Sequence, residues 1–287
     1  MKKEQTRWIF IIFLFCLTFI IWIFVFDRES KNNTLTVAFF DVGQGDAIFI
    51  ETPNKTQILI DGGPDKKVLR EIGKQMPFYD RSIDLIITSH PDTDHIGGIP
   101  SVLNRFSVKN ILIPDVNADT AIYKEIIARA TEKNVKILCA RRGQIYLDQE
   151  NGIYLDILFP DRDTTGFEKN LASIVVKLVY GETSFLFTGD SPISIENYLI
   201  DINKSALNID VLKLGHHGSK TSTSKQFLGY TTPDYAIISA GKDNAYGHPH
   251  KSVISLLDQF EIKYFETAKE GTIIFESAGE EPVDITL

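Results

Sequence analysis

All six histidines of this 287-residue chain fall into three short clusters. His90 and His95 lie in the run Ser-His-Pro-Asp-Thr-Asp-His-Ile-Gly-Gly at 89–98. His216 and His217 lie in Gly-His-His-Gly-Ser at 215–219, and His248 and His250 in Tyr-Gly-His-Pro-His at 246–250. The first two clusters directly follow apolar runs of strand length, at 83–88 and 210–214, and the third comes a few residues after another, at 235–240. Histidines scattered through a core or a surface would not group in this way. The pattern constrains the fold to one that brings several strand ends to one edge of a sheet, where open α/β sheets place their ligand sites. Imidazole and carboxylate together are the donor set of hydrolytic metal centres.

The first cluster is the densest. It sets His90, Asp92, Asp94 and His95 within six residues, between the strand-like run 83–88 and a stretch with helical apolar spacing at 96–106. A tight loop of this kind can aim alternate side chains at two ions, and Gly97 and Gly98 let backbone pack close beneath it. Four more segments are expected at the same edge. Phe-Asp-Val-Gly-Gln-Gly-Asp at 40–46 is a glycine-punctuated turn in which Asp41, Gln44, Gly45 and Asp46 are candidates to touch substrate or support ligands. Asp61 ends an apolar strand and is placed to orient a ligand histidine from behind. Asp190, in Phe-Thr-Gly-Asp, ends another and can bridge two metals. Asn170 and Ser173 precede the strand-like run 174–179, and Asn244 precedes the third cluster; these three are grouped with the supporting residues. His250 reads as the neighbour of a helix cap, and Lys213 and Lys220 as flanking cations within reach of phosphate.

Strands are expected near 34–40, 46–51, 56–60, 83–88, 109–113, 135–139, 145–148, 153–159, 172–180, 183–188, 210–214, 235–239, 263–266, 271–276 and 282–286. Helices are expected near 65–75, 95–105, 118–133, 191–202, 223–229 and 250–260. Two mixed sheets packed face to face with helices outside fit this order. Ahead of them, residues 8–26 hold no charge and suffice for a transmembrane helix. The run ends Phe-Val-Phe-Asp-Arg-Glu with no small-residue cleavage site, so an uncleaved signal anchor is expected. Lys2, Lys3 and Arg7 make 1–7 a cytoplasmic tail, 27–33 is a linker, and 34–287 is one extracellular domain. Of the two cysteines, Cys16 lies within the span, so the outer domain closes no internal disulfide. The formal charge is −8; the first 27 residues hold three basic and two acidic groups, so the remainder stands at −9. That balance opposes strong non-specific binding of nucleic acid.

Asp61, the His90-x-Asp92-x-Asp94-His95 run, Asp190 and His216 in this order resemble the metallo-β-lactamase superfamily. Asp-Val-Gly-Gln-Gly-Asp, Thr-Gly-Asp, Leu-Lys-x-Gly-His-His-Gly-Ser and Tyr-Gly-His-Pro narrow the likeness to its ComEC-like competence branch. The resemblance implies an αββα sandwich of the α/β class, here preceded by one transmembrane helix. It implies one ion held by His90, Asp92 and Asp190 and another by Asp94, His95, Asp190 and His216, with a hydroxide shared between them. Between the two neighbours, His216 is preferred as ligand because it lies nearer the strand end; His217 then stands behind it or touches substrate. Asp94 orients the hydroxide, and His248 stabilises the developing oxyanion or protonates the leaving group. The superfamily's usual second histidine of His-x-His is Asp92 here, and its usual intermediate histidine is absent. Three carboxylates with three histidines shift the expected metal toward Mn²⁺, with Zn²⁺ the alternative.

The activity implied is that of a membrane-anchored, metal-dependent phosphodiesterase acting as a DNase. A hydrolase of small surface phosphodiesters such as phosphorylcholine esters, and an inactive metal-bearing binding module, are the alternatives. Arg141-Arg142 and Lys66-Lys67 are the only basic pairs after the span, and few aromatic–basic clusters offer an obvious base-stacking platform. The channel of ComEC-like proteins has no counterpart in this sequence, so a separate DNA-uptake channel is the expected partner.

Overall fold

The structure, a computed structural model, describes residues 2–30, 34–280 and 283–287, with side chains of the first helix described at 4, 5 and 7–22. That helix, α1, runs Lys2–Ser30. Its apolar side chains from Trp8 to Trp22 are exposed. Among the described residues no helix is long and apolar enough to cross a membrane; the expected span at 8–26 runs past the described side chains. Residues 27–30, expected to begin a linker, are helical, and 31–33 lie outside the described residues.

Among the described residues, fifteen strands follow in two sheets. The first sheet takes β1 (Leu35–Phe39), β2 (Ile48–Glu51), β3 (Gln57–Ile60), β4 (Ser82–Ile87), β5 (Ser107–Ile113) and β6 (Lys136–Cys139). The second takes β7 (Gly143–Asp148), β8 (Ile153–Phe159), β9 (Val175–Tyr180), β10 (Thr183–Phe187), β11 (Val211–Lys213), β12 (Tyr235–Ile238) and β13 (Lys263–Glu266). The chain then returns to the first sheet with β14 (Ile273–Ser277) and β15 (Asp284–Thr286). The strand orders are β15-β14-β1-β2-β3-β4-β5-β6 and β13-β12-β11-β10-β9-β8-β7. Each sheet is mixed: β3 to β6 run parallel, as do β10 to β13, and the other pairs are antiparallel.

Side-chain alternation builds the layers. Val37, Phe39, Ile48, Ile50, Ile58 and Ile60 of the first sheet meet Leu155, Val176, Phe185, Phe187, Val211 and Ile237 of the second in one core. The intervening residues point the other way. Ala38, Phe49 and Leu59 pack on Val68 and Ile72 of the helix Lys67–Gln75, on Val102 and Leu103, and on Ile126. Leu186, Leu212 and Ala236 pack on Leu199, Phe227, Leu228, Val253 and Leu257. Both faces of both sheets are therefore apolar, as covered sheets require, and the four layers make the expected αββα sandwich.

The helix expected at 95–105 is two pieces, Thr93–Ile96 and Ile99–Arg105. Gly98 explains the close packing there. A Cβ on it would lie 2.1 Å from the Gly62 carbonyl oxygen, so the strand β3 exit and this helix meet backbone to backbone. The strand expected from 172 begins at Val175, after a 3₁₀ turn at Asn170–Ala172.

Candidate metal centre

Parallel strands end together, and their carboxyl ends carry the polar residues. Asp61 follows β3, His90 to His95 follow β4, Asp190 follows β10, and His216 and His217 follow β11. The turn between β1 and β2 adds Asp46, and the loop after β12 adds His248. Both sheets thus contribute to one site across the top of the sandwich.

Asp190 is its centre. Its Oδ2 lies 3.6 Å from His90 Nε2 and 3.5 Å from His216 Nε2; His90 Nε2 in turn lies 3.6 Å from Asp92 Oδ2. Its Oδ1 lies 3.2 Å from His95 Nε2 and 3.7 Å from His217 Nε2. Asp94 Oδ2 closes that side, 3.2 Å from His217 Nε2 and 3.9 Å from His95 Nε2. One carboxylate therefore stands between two sets of nitrogen and oxygen donors. Asp46, His95, Asp190 and His217, all buried, each offer an atom within 4.8 Å of the others and form a candidate metal-binding cluster. A cation fits these residues: His90 Nε2, His95 Nε2 and Asp190 Oδ1 are buried without a hydrogen-bond partner, a costly state that coordination would relieve.

The far sides of the rings are pinned. Asp61 accepts hydrogen bonds from the Ser89 backbone N–H (2.7 Å) and hydroxyl (2.6 Å) and lies 2.8 Å from His95 Nδ1. His217 Nδ1 donates to the Ser239 carbonyl at 2.8 Å. With Nδ1 committed as donor in both rings, Nε2 is the atom turned to the cavity. The backbone pays for this arrangement locally. His216 and His217 are consecutive left-handed residues (φ 49° and 57°), a conformation rare outside glycine. Gly45 at φ 120° sits where a Cβ would be 1.9 Å from the Asp94 carbonyl oxygen, so only glycine lets the first turn press against the Asp94 peptide.

Electrostatics mark the same need for positive charge. Burial pushes the His217 ring down, but Asp190, Asp46 and Asp94 outweigh it and hold it up at about 9. His95 is likewise raised well above the ordinary histidine range, against burial, by Asp190 and Asp61. Asp190 is held well below the usual carboxylate range, again against burial, by His95, His217 and His90. Hydrogen bonding to His90, then to Lys169, lowers Asp92. His216 and His248 go the other way: burial lowers both.

Comparison with known proteins fits this geometry. The metallo-beta-lactamase superfamily model matches residues 40–242. The chain belongs to that superfamily. It is 31% identical over 275 residues to ComE operon protein 3 of Bacillus subtilis, covering 90% of this chain and 35% of that protein. It is 33% identical over 281 residues to Recombination protein 2 of Haemophilus influenzae (95% of this chain, 32% of that protein) and 29% identical over 247 residues to competence protein ComA of Neisseria gonorrhoeae (85% and 32%). The chain spans about a third of the length of these relatives. Among solved structures, the metallo-beta-lactamase fold protein YhfI of Bacillus subtilis superposes with a TM-score of 0.58 at 13% identity, over 85% of this chain and all of that one. The metallo hydrolase Igni18 of Ignicoccus hospitalis does so at 0.53 and 16%, over 84% and 98%. The likeness to the competence branch read from the motifs is thereby borne out.

Within this metallo-beta-lactamase site, several placements differ from the sequence reading. His216 was expected beside Asp94 and His95 and His217 behind it; the structure sets His217 beside Asp94 and His95, and His216 toward His90 and Asp92. Asp46, expected as a supporting residue, is in the cluster itself. Lys213, expected near phosphate, is fully buried and ion-paired to Asp46 at 2.9 Å. Asp41 caps its own turn through the Gly43 N–H (3.1 Å), and Gln44 accepts from the Gly241 N–H (3.1 Å), tying the two loops together. Asn244 spends its amide on its loop, donating to the carbonyls of His248 (2.6 Å) and Gly241 (2.9 Å) and accepting from the His248 N–H (3.0 Å). Asn170 Oδ1 and Ser173 Oγ are buried without partners, and the adjoining Ile174 N–H bonds the Ser89 carbonyl. His250 caps the helix Lys251–Gln259 as expected. Sequence reasoning missed Lys169, whose Nζ lies 2.7 Å from Asp92 Oδ1; its position one residue before the Asn170 segment was the available signal.

Proposed function

We propose that the chain is a metal-dependent phosphodiesterase, and specifically a nuclease acting on DNA. The observation that carries this reading is Asp190, a single carboxylate whose two oxygens face two separate donor sets. In this reading His90, Asp92, His216 and Asp190 hold one divalent ion, and Asp94, His95, His217 and Asp190 hold a second, with Asp46 behind them. His216 then stands in for the histidine missing from the usual superfamily pattern. When bound, a pair of Mn²⁺ or Zn²⁺ ions supplies Lewis-acid polarisation of a phosphoryl oxygen and an acidified water. The chain's own groups do the rest. Asp94, whose side chain is one-third exposed beside the His217 ring, takes the proton of the attacking water. His248 Nδ1 is buried without a partner at the rim, and its lowered proton affinity keeps the ring neutral near pH 7, so it offers an N–H to the developing oxyanion.

DNA as substrate is supported by relatives named for competence and recombination. We further propose that residues 8–26 anchor the chain in a membrane with the main domain outside the cell, supported by the exposed apolar side chains of α1 and the basic residues ahead of them. A separate DNA-uptake channel is the partner proposed with it. The test is cleavage of labelled single-stranded DNA and of bis(p-nitrophenyl) phosphate by detergent-purified protein loaded with Mn²⁺ or Zn²⁺. Cleavage of both, lost in Asp94→Asn, is expected. Cleavage of the small diester alone would leave a small-substrate hydrolase, and cleavage of neither at full metal occupancy would leave a binding module.

A further inference from the structure

Tyr246 is 71% exposed, yet its ring is held in place. It stacks on His248 with ring centroids 5.8 Å apart and planes within 21°. His248 in turn stands 5.6 Å from the His216 ring, so the exposed face is two ring contacts from the centre at Asp190. The loop is fixed by Asn244, whose Oδ1 accepts from the Tyr246 N–H (3.2 Å) as well as from the His248 N–H. Tyr246 thus presents a largely exposed aromatic ring whose orientation is set by His248, itself beside the metal-centre histidines.

The neighbouring surface supplies cations. A cavity of about 490 Å³ beside this loop is lined by Lys67, Arg70 and Lys242, with one acidic residue, Asp41, and with Gln44 and Asn244. Arg70 is engaged by Glu71, but Lys67 and Lys242 form no ion pair within 4 Å among the described residues. Against three cations the cavity sets one carboxylate, Asp41, whose Oδ1 accepts from the Gly43 N–H, on a chain with a formal charge of −8. Lys242 lies in the same segment as Tyr246, and tertiary packing adds Lys67 from a helix 175 residues earlier.

We propose that Tyr246 stacks on the base flanking the phosphodiester to be cut, while Lys67 and Lys242 hold adjacent phosphates. The inference rests on the phosphodiesterase reading and narrows it to substrates with unpaired bases: a paired base has no free face for the ring, and a phosphorylcholine ester has no base. Base–aromatic stacking is worth about 5- to 150-fold in affinity.

Binding is read separately from cleavage. Fluorescence anisotropy would follow metal-stripped full-length protein with a labelled single strand and with an abasic strand of equal length. The expected result is tighter binding of the base-bearing strand, about 5- to 150-fold. Tyr246→Ala brings that strand down to the abasic affinity, and Tyr246→Phe restores the difference. Lys67→Gln with Lys242→Gln weakens both strands and lowers the slope of log affinity against log salt by about 1.4, two phosphates' worth on a single strand. Equal wild-type affinity for the two strands, or a preference that survives Tyr246→Ala, overturns the proposal. The hydrolase reading stands or falls separately, on cleavage by the metal-loaded protein.

Discussion

His216 and His217 are adjacent in the chain and serve opposite oxygens of one carboxylate. His216 Nε2 lies 3.5 Å from Asp190 Oδ2, and His217 Nε2 lies 3.7 Å from Asp190 Oδ1. Neighbouring residues on an extended strand point to opposite faces; here two left-handed residues in succession curl the backbone so that both rings enter one cavity. The two substitutions should therefore have different consequences. His216→Ala is expected to lose the ion on the His90 side, and His217→Ala the ion beside His95, each retaining about one ion per chain. Metal analysis after gel filtration, with anomalous scattering to place the remaining ion, checks this. Loss of the same ion in both variants would show that one histidine is not a ligand.

Asp61 touches no cavity atom but accepts from Ser89 and faces His95 Nδ1 at 2.8 Å. Asp61→Asn should free the His95 ring and weaken metal binding about 10- to 100-fold. Competition with a chromogenic chelator measures it. Unchanged affinity would make the contact structural only.

The metal-free protein should lose stability as pH rises from about 6.5 to about 9. His217 and His95 bind protons more tightly folded than unfolded, so their contribution is complete below the ordinary histidine pKa near 6.5 and is lost as pH passes the folded value, about 9 for His217. Urea midpoints between pH 6.5 and 9.5 test this, with His217→Gln expected to flatten the fall. A midpoint that rises over this range contradicts the charge arrangement described.

Lys213 and Asp46 form a buried pair at 2.9 Å. Lys213→Met leaves the buried Asp46 with only the His217 ring, 3.3 Å away, as a close counter-charge and should cost about 3 kcal/mol of folding stability. Adding Asp46→Leu should recover most of it, since it removes the under-compensated carboxylate. Urea unfolding of the metal-free single and double variants separates the two cases; equal stability of both would mean that the pair is not coupled.

Gly45→Ala should destabilise more than Gly152→Ala. Both glycines have positive φ, but an added Cβ meets the Asp94 carbonyl at 1.9 Å in the first case and nothing within 4 Å in the second. Gly45 at φ 120° also strains a side chain more than Gly152 at φ 68°, and the two effects together should cost about 1–3 kcal/mol more, with weaker metal binding. Equal melting temperatures would indicate that the Asp94 peptide moves aside freely.

Local pattern sufficed for much of this protein. The strand-length apolar runs ended where the strands end, because a sheet covered on both faces must be apolar in every residue until it leaves the core. Polar residues just past those ends, Asp61, His90, Asp190 and His216, had nowhere to gather but at the carboxyl edge of the sheets. Tertiary structure alone decided which atoms meet. Whether His216 or His217 faces His95 depends on backbone dihedrals that residue identity does not specify, and two successive left-handed residues are not expected of histidine. That Lys213 is a buried counter-ion rather than a surface cation depends on Asp46, 167 residues earlier and in the other sheet, being carried onto it by face-to-face packing. Periodicity reports how each segment meets its immediate surroundings; pairing between sheets arises only when the layers close, and it is there that the charges of this site are balanced.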